Sequence, residues 1–139
     1  SISDVYNMTL KTIIIHTKNY ICYLFLRTFN DIIIQNDKYI FKVKFHIKSD
    51  KFIKYNNDLV FIQNINIYQL LFQKKYDIIL PDNSNITFAK TKQNIYLFKN
   101  KGLTKSYDYL SRGNLYVIFN LDYSKDFSKY ESEIKEIFN

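Results

Sequence analysis

Two stretches of this chain alternate apolar and polar residues for the length of a strand, and the second repeats the first. Tyr39, Phe41, Val43, Phe45 and Ile47 form one apolar row; Leu115, Val117, Phe119, Leu121 and Tyr123 form the other. Strand side chains point to opposite faces at period 2, so each run reads as a half-buried strand. Each ends in a Lys/Ser/Asp cluster followed by a lone Phe, Phe52 or Phe127. The runs begin at Asp37 and Gly113, an offset of 113 − 37 = 76. Upstream, HTKNYI (His16 to Ile21) and KTKQNI (Lys90 to Ile95) share Thr17/Thr91, Lys18/Lys92 and Ile21/Ile95 at an offset of 91 − 17 = 74. In a chain rich in Ile, Lys, Asn, Tyr and Phe, three matches in six positions also arise by chance. Order, offset and strand parity agree together, which favours two copies of one all-β unit with an insertion of about two residues between them.

A chain of 139 residues with 47% hydrophobic and 18% aromatic content has ample surface to bury, which excludes disorder. Two Gly and one Pro leave Asn, Asp and Ser to make most turns. The formal charge of +7 is spread along strand faces and turns, with only Arg27 and Arg112 as arginines, so a solvated face is expected in place of a phosphate track. The single cysteine, Cys22, lies between Ile21 and Tyr23 and reads as a packed side chain. No run of 18 apolar residues occurs, and the opening SISDVYNMTL lacks the pattern of a signal peptide. A cytoplasmic setting is the expectation.

Strands are expected over residues 3–6, 11–16, 21–26 and 38–47, then over 59–65, 76–80, 85–89, 95–99 and 114–123. IYQLLF (Ile67 to Phe72) has the spacing of a short helical turn. Asp82 to Asn85, after Pro81, reads as a turn. Residues 100–113 read as the longest connection. At the end, Ser128 and Glu131 have the spacing of a capping box, and Tyr130, Ile134, Ile137 and Phe138 form one apolar stripe of a helix. Such a helix is too short to hold alone in water, so it docks either on its own core or on the same helix of a second chain.

The candidate chemistry is sparse. His16 and His46 have no partner at metal-ligand spacing, and the common phosphate-binding and nucleophile motifs are missing. Asp50, Asp58, Asp82 and Asp126 read as turn residues. Neither an enzyme, a metal nor a cofactor is expected. The aromatic excess leaves open a basic β-module that stacks bases of RNA or single-stranded DNA, although most rings fall on the apolar rows.

Residues 50–139 resemble the second C-terminal β-domain of DnaJ-type co-chaperones, the J-domain proteins. The resemblance is carried by Phe52, Lys54, Asn56–Asn57 and Asp58–Leu59, then by Ile65–Phe72, YDIILPDNSNITF, the loop KNKGL (Lys99 to Leu103) and Gly113–Asn114–Leu115–Tyr116–Val117. Asn114 stands where the family has Asp, Asn57 where it has Gly, and Ser124 where it has Pro. The J-domain tripeptide His-Pro-Asp and a Cys-rich zinc module do not occur in this sequence. The resemblance implies a mainly all-β fold: two tandem β-sandwich-like subdomains with short helical turns and a C-terminal helix. Residues 1–49 would be a partial first domain, 50–127 the second domain, and 128–139 a dimerisation helix. It implies further that the chain binds unfolded polypeptide clients, presents them to an ATP-driven heat-shock chaperone and forms a homodimer. Client binding would fall on Val5 and Phe41, and dimerisation on Tyr130, Ile134, Ile137 and Phe138. A purely structural dimerisation domain is the remaining alternative.

Overall fold

The computed structural model describes all residues except 19, 27–31, 36–39, 48, 106 and 107. In chain order, helix α1 (Ile2–Tyr6) precedes strands β1 (Lys11–Thr17), β2 (Tyr20–Leu26), β3 (Ile32–Gln35) and β4 (Ile40–Val43). Then come β5 (Phe52–Tyr55), β6 (Asp58–Ile65), helix α2 (Ile67–Phe72), β7 (Lys75–Ile79), β8 (Asn85–Ala89) and β9 (Ile95–Phe98). Strands β10 (Thr104–Lys105), β11 (Asp108–Arg112) and β12 (Leu115–Leu121) follow, and after a single 3-10 turn the chain closes with helix α3 (Glu131–Phe138). The fold is mainly β, with several small sheets and short helices, as the sequence implied.

The largest sheet has the order β5-β6-β12-β9. Its centre is a parallel pair, β6 with β12, in which Leu59 lies opposite Leu115 and Ile65 opposite Leu121. Alternation sends Leu59, Leu115 and Val117 inward, where each is fully buried. Burying side chains of this size stabilises by about 1.5–3 kcal/mol apiece. The β7–β8 hairpin contributes Tyr76, Ile78, Phe88 and Ile86 to the same core, with Leu80 buried just past the end of β7. Rings meet edge to face there: Tyr76 and Phe119 are 4.9 Å apart, and Phe88 lies 5.1 Å from Phe98.

Both glycines of the chain sit at one point, the head of the parallel pair. A Cβ on Gly102 would lie 2.6 Å from the Asn114 carbonyl oxygen, and one on Gly113 would strike the Asn57 carbonyl, so no side chain fits at either place. The close approach allows a clasp between the two strand entrances. Leu59 N–H donates to the Asn114 carbonyl at 2.9 Å, Asn114 N–H donates to Asp58 Oδ1 at 2.7 Å, and Leu103 N–H donates to the Asn57 carbonyl at 2.8 Å. The turns expected of Asn are present. Asn56, Asn83 and Asn100 take φ values of 52°, 67° and 60°, in the left-handed region that Asn tolerates.

Several expectations are corrected. Residues 3–6 are not a strand but part of α1: Ser1 and Asp4 cap it reciprocally, and Ile2, Val5 and Tyr6 fall on one helical face. Tyr6 is 3% exposed, and Arg112 clamps it to the later part of the chain. The guanidinium donates to the carbonyls of Tyr6 (2.9 Å) and Gly102 (3.1 Å) and lies 4.3 Å from the Tyr6 ring centroid. Residues 100–113 contain the paired strands β10 and β11. Of the strand expected over 38–47, residues 40–43 form β4 and residues 44–47 lie outside any strand; positions 38 and 39, and Arg27, are outside the described residues. The Cys22 side chain likewise lies outside what is described.

The elements follow the repeat in order but not in pairing. β1, β2, β3 and β4 begin at Lys11, Tyr20, Ile32 and Ile40, while β8, β9, β11 and β12 begin at Asn85, Ile95, Asp108 and Leu115. The first set pairs locally, β1 with β2 and β3 with β4. In the second set β8 pairs with β7, β9 with β12 and β12 with β6. The position that corresponds to β7 is taken by α1, which offers no ladder edge to β1, and neighbours in sequence pair instead.

Candidate functional site

Three surfaces carry the candidate chemistry. The first is α3. Ser128 does not cap it: Ser128 N–H donates to Asp126 Oδ1 at 2.9 Å, the chain enters through a 3-10 turn, and no side chain caps the helix. The Ser128–Glu131 capping box is therefore corrected. Tyr130, Ile134, Ile137 and Phe138 lie on this terminal segment, and every residue from Ser128 to Asn139 is exposed. Ile137 and Phe138 reach 76% and 80% exposure. All three glutamates of the chain, Glu131, Glu133 and Glu136, sit on this helix. Asp122 and Asp126, in the preceding segment, have carboxyl pKa values lowered by hydrogen bonds from Ser124 and Ser128.

The second surface is a groove of ≈ 530 Å³ where β5 stops and β6 continues. Pairing of β5 with β6 ends at Phe52 opposite Phe61. Before Phe52 the chain turns off the sheet, because Ser49 Oγ accepts from the N–H groups of Lys51 (3.3 Å) and Phe52 (3.0 Å). On the side away from β12, no strand among the described residues pairs with residues 62–65 of β6. The groove over this interrupted edge has an apolar floor of Phe52, Phe61, Ile62 and Ile79, with Asp50 and Asp77 among its polar lining.

The third surface is the outer face of the four-stranded sheet, which adjoins the groove and shares Ile53, Ile62, Asn64 and Asn120 with it. Ile53, Val60, Tyr116 and Leu97 lie in one row across the four strands, and Ile62, Ile118 and Ile95 in the next. A polar pair ends the patch, Asn120 Nδ2 donating to Asn64 Oδ1 at 3.0 Å.

Val5 and Phe41 lie on different elements, α1 and β4. Val5 packs on the core that holds Phe52 and Leu115, whereas Phe41 lies on β4 opposite Ile34. Sequence reasoning missed the second and third surfaces, although the continuous apolar runs Leu59–Ile62 and Leu115–Phe119 signal strands apolar on both faces. His16 and His46 are exposed, and no cluster of metal-binding side chains occurs among the described residues. No helix among the described residues is long and apolar enough to cross a membrane. No family model and no curated protein sequence matches the chain.

Proposed function

We propose that this chain is the peptide-holding, self-associating part of a DnaJ-type co-chaperone, which keeps non-native polypeptide extended for an ATP-driven heat-shock chaperone in the cytoplasm. The observation that carries this reading is the interrupted edge of β6 over an apolar groove. An extended client segment adds there as a strand: its backbone meets that of residues 62–65, and alternate side chains enter between Phe61 and Ile79. This moves the peptide seat from Val5, which the core already engages, to the border of β5, β6 and β7. Self-association falls to the stripe Tyr130, Ile134, Ile137 and Phe138, since an isolated helix of this length is marginal in water. The reading calls on no catalytic residue and no cofactor.

The test is suppression of aggregation of a chemically denatured test protein, followed by light scattering. Ile79 is exposed, so Ile79→Lys is expected to keep the parent melting temperature while losing most of the suppression. Equal suppression by parent and variant would refute the groove. A dimer with no suppression by either protein would favour a purely structural assembly domain. Salt-dependent binding of an oligonucleotide would favour the basic β-module instead.

A further inference from the structure

We infer that the outer face of the four-stranded sheet is the seat for α3 of a second copy of this chain, each copy giving its helix and receiving the other's. The inference rests on the proposed self-association and adds the surface on which it takes place.

Central parallel strands with continuous apolar runs are ordinarily covered on both faces. Here the inner face is covered by the β7–β8 hairpin, while the outer face leaves Ile95 at 59% and Leu97 at 48% exposure. The stripe of α3 is a second apolar surface that the described residues leave open. Among the described residues nothing covers its last turn, where Ile137 and Phe138 are 76% and 80% exposed.

The two surfaces match in size. Four strands about 4.8 Å apart span roughly 14 Å. Eight helical residues at 1.5 Å each span about 12 Å. They also match in charge. The seat is flanked by Lys51 on the β5 side and Lys99 just beyond β9, whereas α3 carries every glutamate of a chain whose net charge is +7. A reciprocal exchange uses the seat twice, which moves the total buried area toward the roughly 1,200–2,000 Å² of a stable interface.

Disulfide trapping between chains tests this directly, in a Cys22→Ala background. Chains carrying Leu97→Cys are mixed with chains carrying Ile137→Cys and oxidised under native conditions. The expected product is a crosslinked pair containing one chain of each kind. Exclusive Ile137→Cys homodimers would mean that the helices pair with each other, and would overturn the seat. A double variant that closes a disulfide within one chain, with no mixed product, would assign the seat to the chain's own helix and also overturn the inference. Mass measurement by light scattering gives the second readout. Ile95→Lys with Leu97→Lys is expected to halve the particle mass with unchanged circular dichroism. A dimer that survives this change but is lost with Ile134→Asp and Phe138→Asp refutes the seat and leaves self-association standing. A parent protein that is monomeric at every concentration removes both.

Discussion

Replacing Gly113 by Ala tests whether the clasp at the head of β6 and β12 organises the fold. The new methyl would collide with the backbone of Asn57, which a rotamer change cannot relieve, so the two strand entrances must move apart. Two hydrogen bonds span that gap, and a third ties the Asn57 carbonyl to Leu103, whose own carbonyl accepts from Gly113 N–H. The one from Asn114 N–H to the Asp58 carboxylate contributes about 1.5–3 kcal/mol, and those from Leu59 and Leu103 to backbone carbonyls about 1 kcal/mol each. The expected loss is therefore roughly 3–5 kcal/mol. It is read as a lower urea midpoint at unchanged slope, which marks a change in stability and not in the unfolded state. Asp58→Ala supplies the control. Alone it is expected to cost about 2 kcal/mol, and in the Gly113→Ala background almost nothing, because its bond is already broken. A Gly113→Ala protein within about 1 kcal/mol of the parent, or two strictly additive changes, would refute the clasp.

The Thr104 hydroxyl is buried without a hydrogen-bond partner among the described residues, so Thr104→Val is expected to raise stability by about 1 kcal/mol in urea unfolding. Arg112→Met keeps much of the stem but removes both carbonyl contacts and the ring contact that fix α1; it is expected to cost about 2–4 kcal/mol and to speed amide exchange at Val5 and Tyr6. Hydrogen bonds from Ser84 lower the Asp82 carboxyl pKa, so its stabilisation is complete above the unfolded value near about 4 and is lost as pH falls through the lower folded value. Asp82→Asn is expected to flatten that acid limb in melting curves taken against pH. Burial raises the Tyr6 phenol pKa, opposed by Arg112 and reinforced by Asp82. Its stabilisation holds below about pH 10 and is lost as pH rises through the folded value, so Tyr6→Phe is expected to blunt alkaline unfolding.

The alternation of Leu115 to Leu121, the Asn turns and α2 were legible because each depends on a local rule of period or backbone geometry. α1 was not, since Ile2 and Val5 have strand-forming side chains and only the Ser1–Asp4 cap argues for a helix. β3 and β5 span only four residues, and neither sits inside a longer alternating run as β4 does. The Ser128–Glu131 spacing misled because Asp126 competes for the Ser128 N–H, a contact that the capping pattern does not include. The groove depends on Ser49 steering the chain away from β6, a tertiary event with no sequence period. The outer apolar face did have a signal, since Val60, Ile62, Tyr116 and Ile118 fill the positions that strict alternation would make polar.

The parallel pairing of β6 with β12 also sets an order of events during synthesis. Asp58 waits for Asn114, 56 residues later, and the Tyr6 carbonyl waits for Arg112, 106 residues later. At about 5–20 residues per second, the ribosome needs roughly 3–11 s to make the 56 residues that separate β6 from its partner. During that interval Leu59, Phe61 and Ile65 have no central strand to pair with, and only the local hairpins can form. The finished sheet is thus a late product of a chain whose own apolar strands are exposed to aggregation while it grows.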